Sequence, residues 1–151
     1  FKTKKPTLDN KRVRQALAYC LKKPPKKDRA ICPISPSSWA YNEGVKTYSY
    51  DPSHGRKLFE EGWDPGEKMN LTLSTLPELL DWAEEIKDDW QNNLNINITI
   101  KVSRFVPEPN NFDVFLGYGI IPPDPDQYTC WHSTQSENLT GLNNAKIDQL
   151  L

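Results

Sequence analysis

The fold of this chain is decided by residues 69–102, which read MNLTLSTLPELLDWAEEIKDDWQNNLNINITIKV. Apolar and polar side chains alternate at both ends of this stretch, first around Leu71 and Leu73 and again over residues 96–102, and alternation of this kind is typical of strands. Between them, the residues from Pro77 onwards place apolar side chains at helical spacing. The inward-facing stripe of this predicted helix contains Leu79, Trp82, Ala83, Ile86 and Trp90. The stretch therefore predicts a βαβ unit, with two parallel strands and a right-handed crossover.

Two helices are predicted before this unit. The first begins at a capping residue, Asp9 or Asn10, and ends at the proline pair 24–25, because proline lacks the amide donor that a helix interior needs. Its apolar stripe consists of Val13, Ala16, Leu17, Cys20 and Leu21. The second helix is opened by Asp51-Pro52, and Gly62 is predicted to follow its last turn as the residue that closes it.

After the βαβ unit, residues 112–118 (FDVFLGY) are nearly all apolar, which predicts a third strand that is covered on both faces. Short helices are predicted over 128–131 and after Asn143 or Asn144. The last helix reaches the end of the sequence with its apolar face only just begun. We therefore expect the sequence to be a piece of a longer protein.

Composition limits the classes of function. The chain has 151 residues, enough for one domain with a core of its own. Its 19 Lys and Arg residues are balanced by 20 Asp and Glu residues, so the strongly basic charge of a nucleic-acid-binding protein is absent. No apolar run approaches the length of a membrane span, and no direct membrane insertion is expected for this segment.

The cysteines and histidines match no metal or redox motif. Cys20, Cys32 and Cys130 form no C-x-x-C pair and are interpreted as buried small apolar residues, although a Cys20–Cys32 bridge stays open. His54 and His132 are the only histidines, and they do not form an H-E-x-x-H motif. Glycine-rich nucleotide-binding motifs are missing as well, so the sequence predicts no cofactor and no metal.

A ligand site is predicted from the topology. Ligands of open α/β sheets bind beyond the carboxyl ends of the strands, which points to the loops after Ser74 and after Tyr118. Gly117 and Gly119 would let a ligand approach the backbone closely, and Tyr118 offers an apolar ring with a polar tip. We expect such a cleft to recognise an extended peptide through main-chain hydrogen bonds.

The segment 31–50 combines prolines and serines with several aromatic residues. It is predicted to be an extended, turn-rich segment that either packs over the core or lines a site. Trp39 is its candidate ligand contact. If the chain were instead a stand-alone interaction domain, residues 39–50 would form a contiguous exposed apolar patch.

A hydrolase is the second alternative. It would use Asp124 or Asp126, which lie in a proline-rich loop, together with His132. These groups would then have to converge within hydrogen-bonding reach of one another in a pocket. As solvated turn residues, the two aspartates would have no such role.

Six stretches, in order along the chain, resemble the motifs of one family. They are residues 9–19 (DNKRVRQALAY), 35–42 (SPSSWAYN), 50–63 (YDPSHGRKLFEEGW), 111–113 (NFD), 123–125 (PDP) and 141–151 (GLNNAKIDQLL). Over nearly its whole length the chain is similar to the extracellular solute-binding proteins of family 5, the oligopeptide- and dipeptide-binding receptors of ABC importers.

The resemblance implies an α/β lobe of the type II periplasmic-binding-protein class, with a mixed sheet that contains the βαβ unit and is flanked by helices. Residues 1–151 would form a single lobe, the C-terminal ligand-binding lobe of a two-lobed receptor whose N-terminal lobe lies outside this sequence. Such receptors close around a peptide, or in some members around nickel or another small solute, and deliver it to ABC permease subunits. The implied location is extracytoplasmic, in the periplasm or as a cell-surface lipoprotein.

The resemblance also implies a set of contacts. In the family, the segment that matches Gly117, Tyr118 and Gly119 lines the cleft, and an aspartate shortly after it pairs with the amino terminus of the peptide. The matching position lies close to Ile121, which together with Ile120 is expected to line the cleft. Asp124 is the candidate substitute for the missing acid. The family's helix before the F-D strand is absent, and Phe105 is the nearest candidate for its aromatic ligand contact.

Overall fold

The computed structural model describes residues 1–25, 31–64, 66–108, 111–119 and 123–151. The chain divides into two compact units. Unit 1 comprises Phe1–Lys23 and Tyr48–Gly117, and unit 2 comprises Pro24–Thr47 and Tyr118–Leu151. Unit 1 contains the sheet and the three longest helices of the described chain, and it carries the predicted βαβ unit.

The first helix, α1, spans Lys11–Tyr19, and Asn10 rather than Asp9 caps it. The Asn10 side chain accepts a hydrogen bond from the backbone N–H of Arg12 at 2.9 Å, which satisfies one of the free amides of the first turn. The helix ends before the proline pair, where the Lys23 ammonium donates to the backbone carbonyl of Ala18. Four residues of the predicted stripe are buried, namely Val13, Ala16, Leu17 and Cys20, whereas the fifth, Leu21, lies beyond the helix and is half-buried.

The second helix, α2, spans Pro52–Gly62, and Asp51 caps it by accepting a hydrogen bond from the His54 N–H at 3.0 Å. The prediction for Gly62 is wrong, because this glycine is the last residue of the helix and does not adopt a left-handed backbone. A Cβ atom at this position would lie only 3.0 Å from the Cβ atom of Arg12. The glycine is therefore explained by the close approach of α1 and α2.

Three parallel strands form the sheet, in the order β2-β1-β3. Their bounds are Asn70–Thr75 for β1, Asn97–Val102 for β2 and Val114–Leu116 for β3. A short 3-10 turn and helix α3, Leu80–Leu94, connect β1 to β2, so the predicted βαβ unit is confirmed. The α/β class with flanking helices is as expected, but the sheet of the described residues is purely parallel rather than mixed.

Strand β3 is shorter and more open than predicted. It has three residues, of which Val114 is buried and the next two are half-buried. The apolar run of residues 112–118 therefore does not form a long strand with both faces covered. Its last part, from Gly117, leaves the sheet as a loop.

One face of the sheet packs against helices and forms the core of unit 1. Thirteen buried residues make up this cluster, namely Leu8, Val13, Leu17, Cys20, Met69, Leu71, Leu73, Ala83, Trp90, Leu94, Ile96, Ile98 and Val114. Within it the Trp90 indole N–H donates to the backbone carbonyl of Leu17 at 2.9 Å. The prediction for Trp82 is wrong, because 61% of its surface is exposed. It precedes the buried Ala83 by one residue, and one residue turns a helix by about 100°.

Asp113 of the N-F-D motif attaches β3 to β1. Its side chain accepts a hydrogen bond from the Thr72 N–H at 2.7 Å, and its own N–H donates to the Thr72 carbonyl at 3.0 Å. Its backbone carbonyl accepts from the Lys2 N–H at 2.8 Å, which ties the first residues of the chain to the same point. The carboxylate thus takes the place of a backbone acceptor beside β1.

The described residues of unit 2 form turns and two short helices, α4 (Tyr128–Trp131) and α5 (Ala145–Asp148). The side chain of Asn144 caps α5, which decides between the two predicted caps. The buried Asn138 amide donates to the Leu142 carbonyl at 2.8 Å, so a polar side chain holds the turn between the helices.

All three cysteines are free, so the Cys20–Cys32 bridge is not formed. Cys20 is buried as predicted, and burial raises the pKa of its thiol to about 11. Cys130 is exposed, and the prediction that it is buried is wrong. It lies on α4, which has a single turn and no buried residue.

Candidate functional site

The three strands end level with one another at one edge of the sheet. Thr75, the last residue of β1, is in register with Val102 of β2 and with Leu116 of β3. The Ser103 N–H extends the pairing by donating to the Thr75 carbonyl at 2.9 Å. We call this end of unit 1 the carboxyl edge. It is where open α/β sheets bind their ligands, and the loops that begin at Leu76, Ser103 and Gly117 leave the sheet there.

The last residue of β2 and the loop after it expose apolar side chains at the carboxyl edge. The ring of Phe105 is 79% exposed, and about half of the surface of Val102 and of Val106 is exposed as well. The Ser103 hydroxyl accepts a hydrogen bond from the Phe105 N–H at 3.3 Å, which fixes a turn directly after the strand. Adjacent exposed apolar residues of this kind are typical of a contact surface.

The loop after β3 carries the glycine-flanked tyrosine. A Cβ atom at Gly117 would lie 2.5 Å from the Phe115 ring, so glycine at this position lets the ring fold back against the loop. Tyr118 follows with 70% of its surface exposed. No described atom lies within 4 Å of a Cβ atom built at Gly119, so packing against the described chain does not require this glycine. The predicted reason for it, access of a ligand to the backbone, stays a prediction.

Tyr118 and Gly119 belong to unit 2, and the remaining predicted contacts lie in unit 2 or outside the described residues. Trp39 does not pack over a core, because 88% of its surface is exposed. Asp124 is exposed, and its side chain accepts a hydrogen bond from the Asp126 N–H at 2.9 Å, which closes a local turn. Ile120 and Ile121 lie outside the described residues.

The groups of the hydrolase alternative do not converge. Asp126 accepts a hydrogen bond from the Tyr128 N–H at 2.8 Å, so it serves as a turn residue in the same way as Asp124. The His132 ring packs against Tyr128 and its Nδ1 atom lies 2.9 Å from the Thr134 hydroxyl. Within the described part of the chain neither carboxylate forms an ion pair with His132. The described residues also contain no group of three His, Cys, Asp or Glu side chains that could hold a metal ion.

A concavity of about 410 Å³ lies at the opposite end of the strands, which we call the amino edge. Met69 and Ile96, which immediately precede β1 and β2, belong to its lining and are buried. The remaining lining comes from the end of α2, the turn after it and the end of α3. This concavity was not predicted from the sequence. The W-D-P-G turn at residues 63–66 was the signal that a loop stands beside the start of β1.

Comparison of the chain with known proteins identifies its family. The model of the bacterial extracellular solute-binding proteins, family 5 Middle, matches residues 1–139. The chain belongs to this family. The resemblance inferred from the six sequence motifs is thereby confirmed.

Two curated relatives of this family 5 chain are 31% identical to it. One is the heme-binding protein A of Haemophilus influenzae, which matches 100% of this chain and of which the chain spans 32%. The other is the dipeptide-binding protein of Escherichia coli. The alignment covers 91% of this chain and 30% of that relative. The family 5 chain therefore corresponds to about a third of either relative.

Solved structures share the fold of the family 5 chain. The oligopeptide-binding protein AppA from Bacillus subtilis, in complex with a nonapeptide, superposes with a TM-score of 0.80 over 99% of this chain at 22% identity. The periplasmic binding protein DppA from Helicobacter pylori, in complex with the peptide STSA, gives a TM-score of 0.79 over 99% of the chain at 19% identity. The chain covers 36% and 33% of these two structures. In the described part of the family 5 chain no helix is both long enough and apolar enough to cross a bilayer.

Proposed function

We propose that this chain is a ligand-binding segment of an extracytoplasmic peptide receptor that serves an ABC importer. One observation carries the proposal, namely that three parallel strands end level at an edge whose loops expose aromatic and apolar side chains. The dipeptide-binding relative and the two peptide-bound neighbours of the same fold support a peptide as the ligand. Membership in the solute-binding family supports delivery of the ligand to a permease.

The proposed mechanism is noncovalent and assigns no catalytic step to the chain. An extended peptide offers a row of N–H and C=O groups, which the backbone of the edge loops can bind, while exposed rings pack against its side chains. Residues 1–151 would supply one of two lobes, the C-terminal one. Closure of the two lobes would then depend on a ligand that contacts both, because a ligand shifts a conformational equilibrium only by its differential affinity for the two states.

The proposed contacts are those of the sequence analysis. They are Phe105, Gly117, Tyr118, Gly119, Ile120, Ile121, Asp124 and Trp39. Phe105 is the best supported of them, because its ring is exposed on a fixed turn directly after a strand that ends at the carboxyl edge. It is therefore the residue with which the proposal is tested.

Heme is a second candidate ligand. The relative named for heme binding is as similar to this chain as the relative named for dipeptide binding, and it matches the whole chain. Exposed aromatic rings would suit a flat macrocycle as well as a peptide side chain. The two candidates differ in the contacts that they need, because only a peptide presents a repeating main chain.

Calorimetric titration of the full-length receptor tests the proposal, with a dipeptide, a tetrapeptide, a nonapeptide and hemin as separate titrants. We expect at least one peptide to bind, and Phe105→Ala to weaken that binding by about tenfold, since truncating an aromatic contact typically costs 1–2 kcal/mol. The matched control is Tyr50→Ala. This aromatic residue is also exposed, but its hydroxyl accepts a hydrogen bond from Asn93, which lines the concavity at the amino edge.

Three results would count against the proposal. Binding of hemin alone would replace the peptide by the second candidate. Equal losses of affinity in Phe105→Ala and Tyr50→Ala would show that the carboxyl edge is not the binding surface. The absence of any bound titrant would reject the receptor function itself.

A further inference from the structure

The loop after β2 carries a cation that the fold does not use. Arg104 lies between Ser103 and Phe105 and is exposed. It forms no hydrogen bond or ion pair with any other residue that the structure describes. The guanidinium group therefore contributes no visible contact to the stability of unit 1.

The backbone that presents this cation is fixed on both sides. The Ser103 N–H is bonded to the Thr75 carbonyl at 2.9 Å, and the Ser103 hydroxyl accepts the Phe105 N–H at 3.3 Å. Arg104 thus sits inside a turn that is attached to the end of β1 rather than on a loose loop. A turn held in this way lowers the entropy that a ligand contact would have to overcome.

We propose that Arg104 and Phe105 form a subsite for a ligand carboxylate that stands next to an apolar group. The guanidinium fork matches a carboxylate with two parallel hydrogen bonds, and the neighbouring ring can cover the adjoining side chain. The inference rests on the proposed function and narrows its substrate class to peptides with a carboxylate at the position bound here. That carboxylate can come from the peptide's carboxyl terminus or from an acidic side chain.

Lys101 provides the internal comparison. It is also exposed and forms no ion pair with a described residue, but it belongs to β2 itself, which is an outer strand of the sheet. A lysine on an outer strand has a sufficient explanation, because it discourages pairing with another chain. Arg104 lies beyond the strand and has no such explanation.

Calorimetric titration of the full-length receptor tests the subsite with three tripeptide probes. These are Ala-Ala-Phe with a free carboxyl terminus, Ala-Ala-Phe amide, and Ala-Glu-Phe amide. We expect the unsubstituted protein to bind the free acid about ten- to hundredfold more tightly than the Ala-Ala-Phe amide if the terminus is bound, since a hydrogen-bonded charge contributes about 1.5–3 kcal/mol. If an acidic side chain is bound instead, Ala-Glu-Phe amide is expected to bind more tightly than Ala-Ala-Phe amide by a similar factor.

The variants then assign this preference to one residue. Arg104→Gln is expected to abolish the preference for the carboxylate, Arg104→Lys to retain part of it, and Lys101→Gln to leave it unchanged. Because Arg104 is exposed and makes no contact with a described residue, its replacement is not expected to change thermal unfolding, which controls for loss of fold.

Two outcomes overturn the inference while the proposed function stands. Either the unsubstituted protein binds all three probes equally and Phe105→Ala still weakens them, or Arg104→Gln keeps the full preference for the carboxylate. If the receptor binds none of the probes and none of the longer peptides, both the proposed function and the inference are wrong.

Discussion

The amino edge and the carboxyl edge of the same three strands differ in how their apolar side chains are used. At the amino edge Met69 and Ile96 are buried and form part of the core cluster. At the carboxyl edge Val102 and Phe105 are exposed, although they are just as apolar. The comparison teaches that apolar side chains at the amino edge contribute to the core of unit 1, whereas those at the carboxyl edge stay exposed, as the proposed ligand contact requires.

The largest expected effect lies in the packed region. Trp90→Ala is expected to lower the free energy of unfolding by about 3–5 kcal/mol, because it removes a buried ring and leaves the Leu17 carbonyl without its donor. Urea denaturation measures the change. Trp82→Ala on the same helix is the matched control, and its cost is expected to stay within about 0.5 kcal/mol because that ring is exposed. Similar losses for both variants would contradict the packing described for α3.

An intermediate effect is expected where α1 and α2 meet. A Cβ atom at Gly55 would collide with the Cys20 sulfur and would lie 3.2 Å from the Ala16 carbonyl oxygen. Gly55→Ala is therefore expected to cost about 1–3 kcal/mol, the usual range for overpacking. Thermal unfolding of Gly55→Ala and of the double variant with Cys20→Ala separates the two contacts. If removal of the sulfur does not restore the thermal stability, the Ala16 backbone rather than the thiol limits the approach of the helices.

The smallest effect on stability is expected at the carboxyl edge. Phe105→Ala should change the free energy of unfolding by no more than about 0.5 kcal/mol, because the ring is already in solvent. The same variant is expected to weaken ligand binding. Phe105→Ala would then lower the affinity for the ligand with little change in stability, whereas Trp90→Ala lowers the stability. A loss of more than about 1 kcal/mol would show that the ring belongs to the fold and would remove the contrast between the two edges.

The elements that the sequence predicted well are those that local physics decides. The alternation around Leu71 and in residues 96–102 can be satisfied only by strands, and capping by Asn10, Asp51 and Asn144 depends on the side chain and its nearest amides. These features need no knowledge of distant contacts. The βαβ unit followed from them because a single helix that connects two neighbouring strands returns the chain to the end where the first strand began, so that the strands pair in parallel.

The errors arose where a distant part of the chain makes the decision. Trp82 was assigned to the core although the helix face is set by Ala83 and Trp90, and this face depends on how α3 lies against the sheet. Gly62 was explained by backbone conformation, whereas its reason is the proximity of Arg12 on another helix. Neither relation is visible in the spacing of residues along one helix.

For the proposed site, the sequence predicted a location and a set of candidate contacts. The rule for parallel strands gives the carboxyl edge, and the resemblance gave Phe105 and the segment around Tyr118. Arg104 was missed because a single basic residue after a strand resembles any solvated side chain. The proposal for Arg104 depends on the turn around it and on the lack of a partner among the described residues, and neither can be read from the sequence.

The side chain of Asp113 makes one amide a reporter on the whole arrangement. Because the Thr72 N–H is bonded to this carboxylate rather than to a strand backbone, its exchange with solvent deuterium requires the start of β3 to detach. The two residues are separated by 41 positions, so the bond forms only after a large part of the chain has closed into a loop. The deuterium uptake of this single amide would therefore distinguish loosening of β3 from movement of the loops beyond it, with and without a bound ligand.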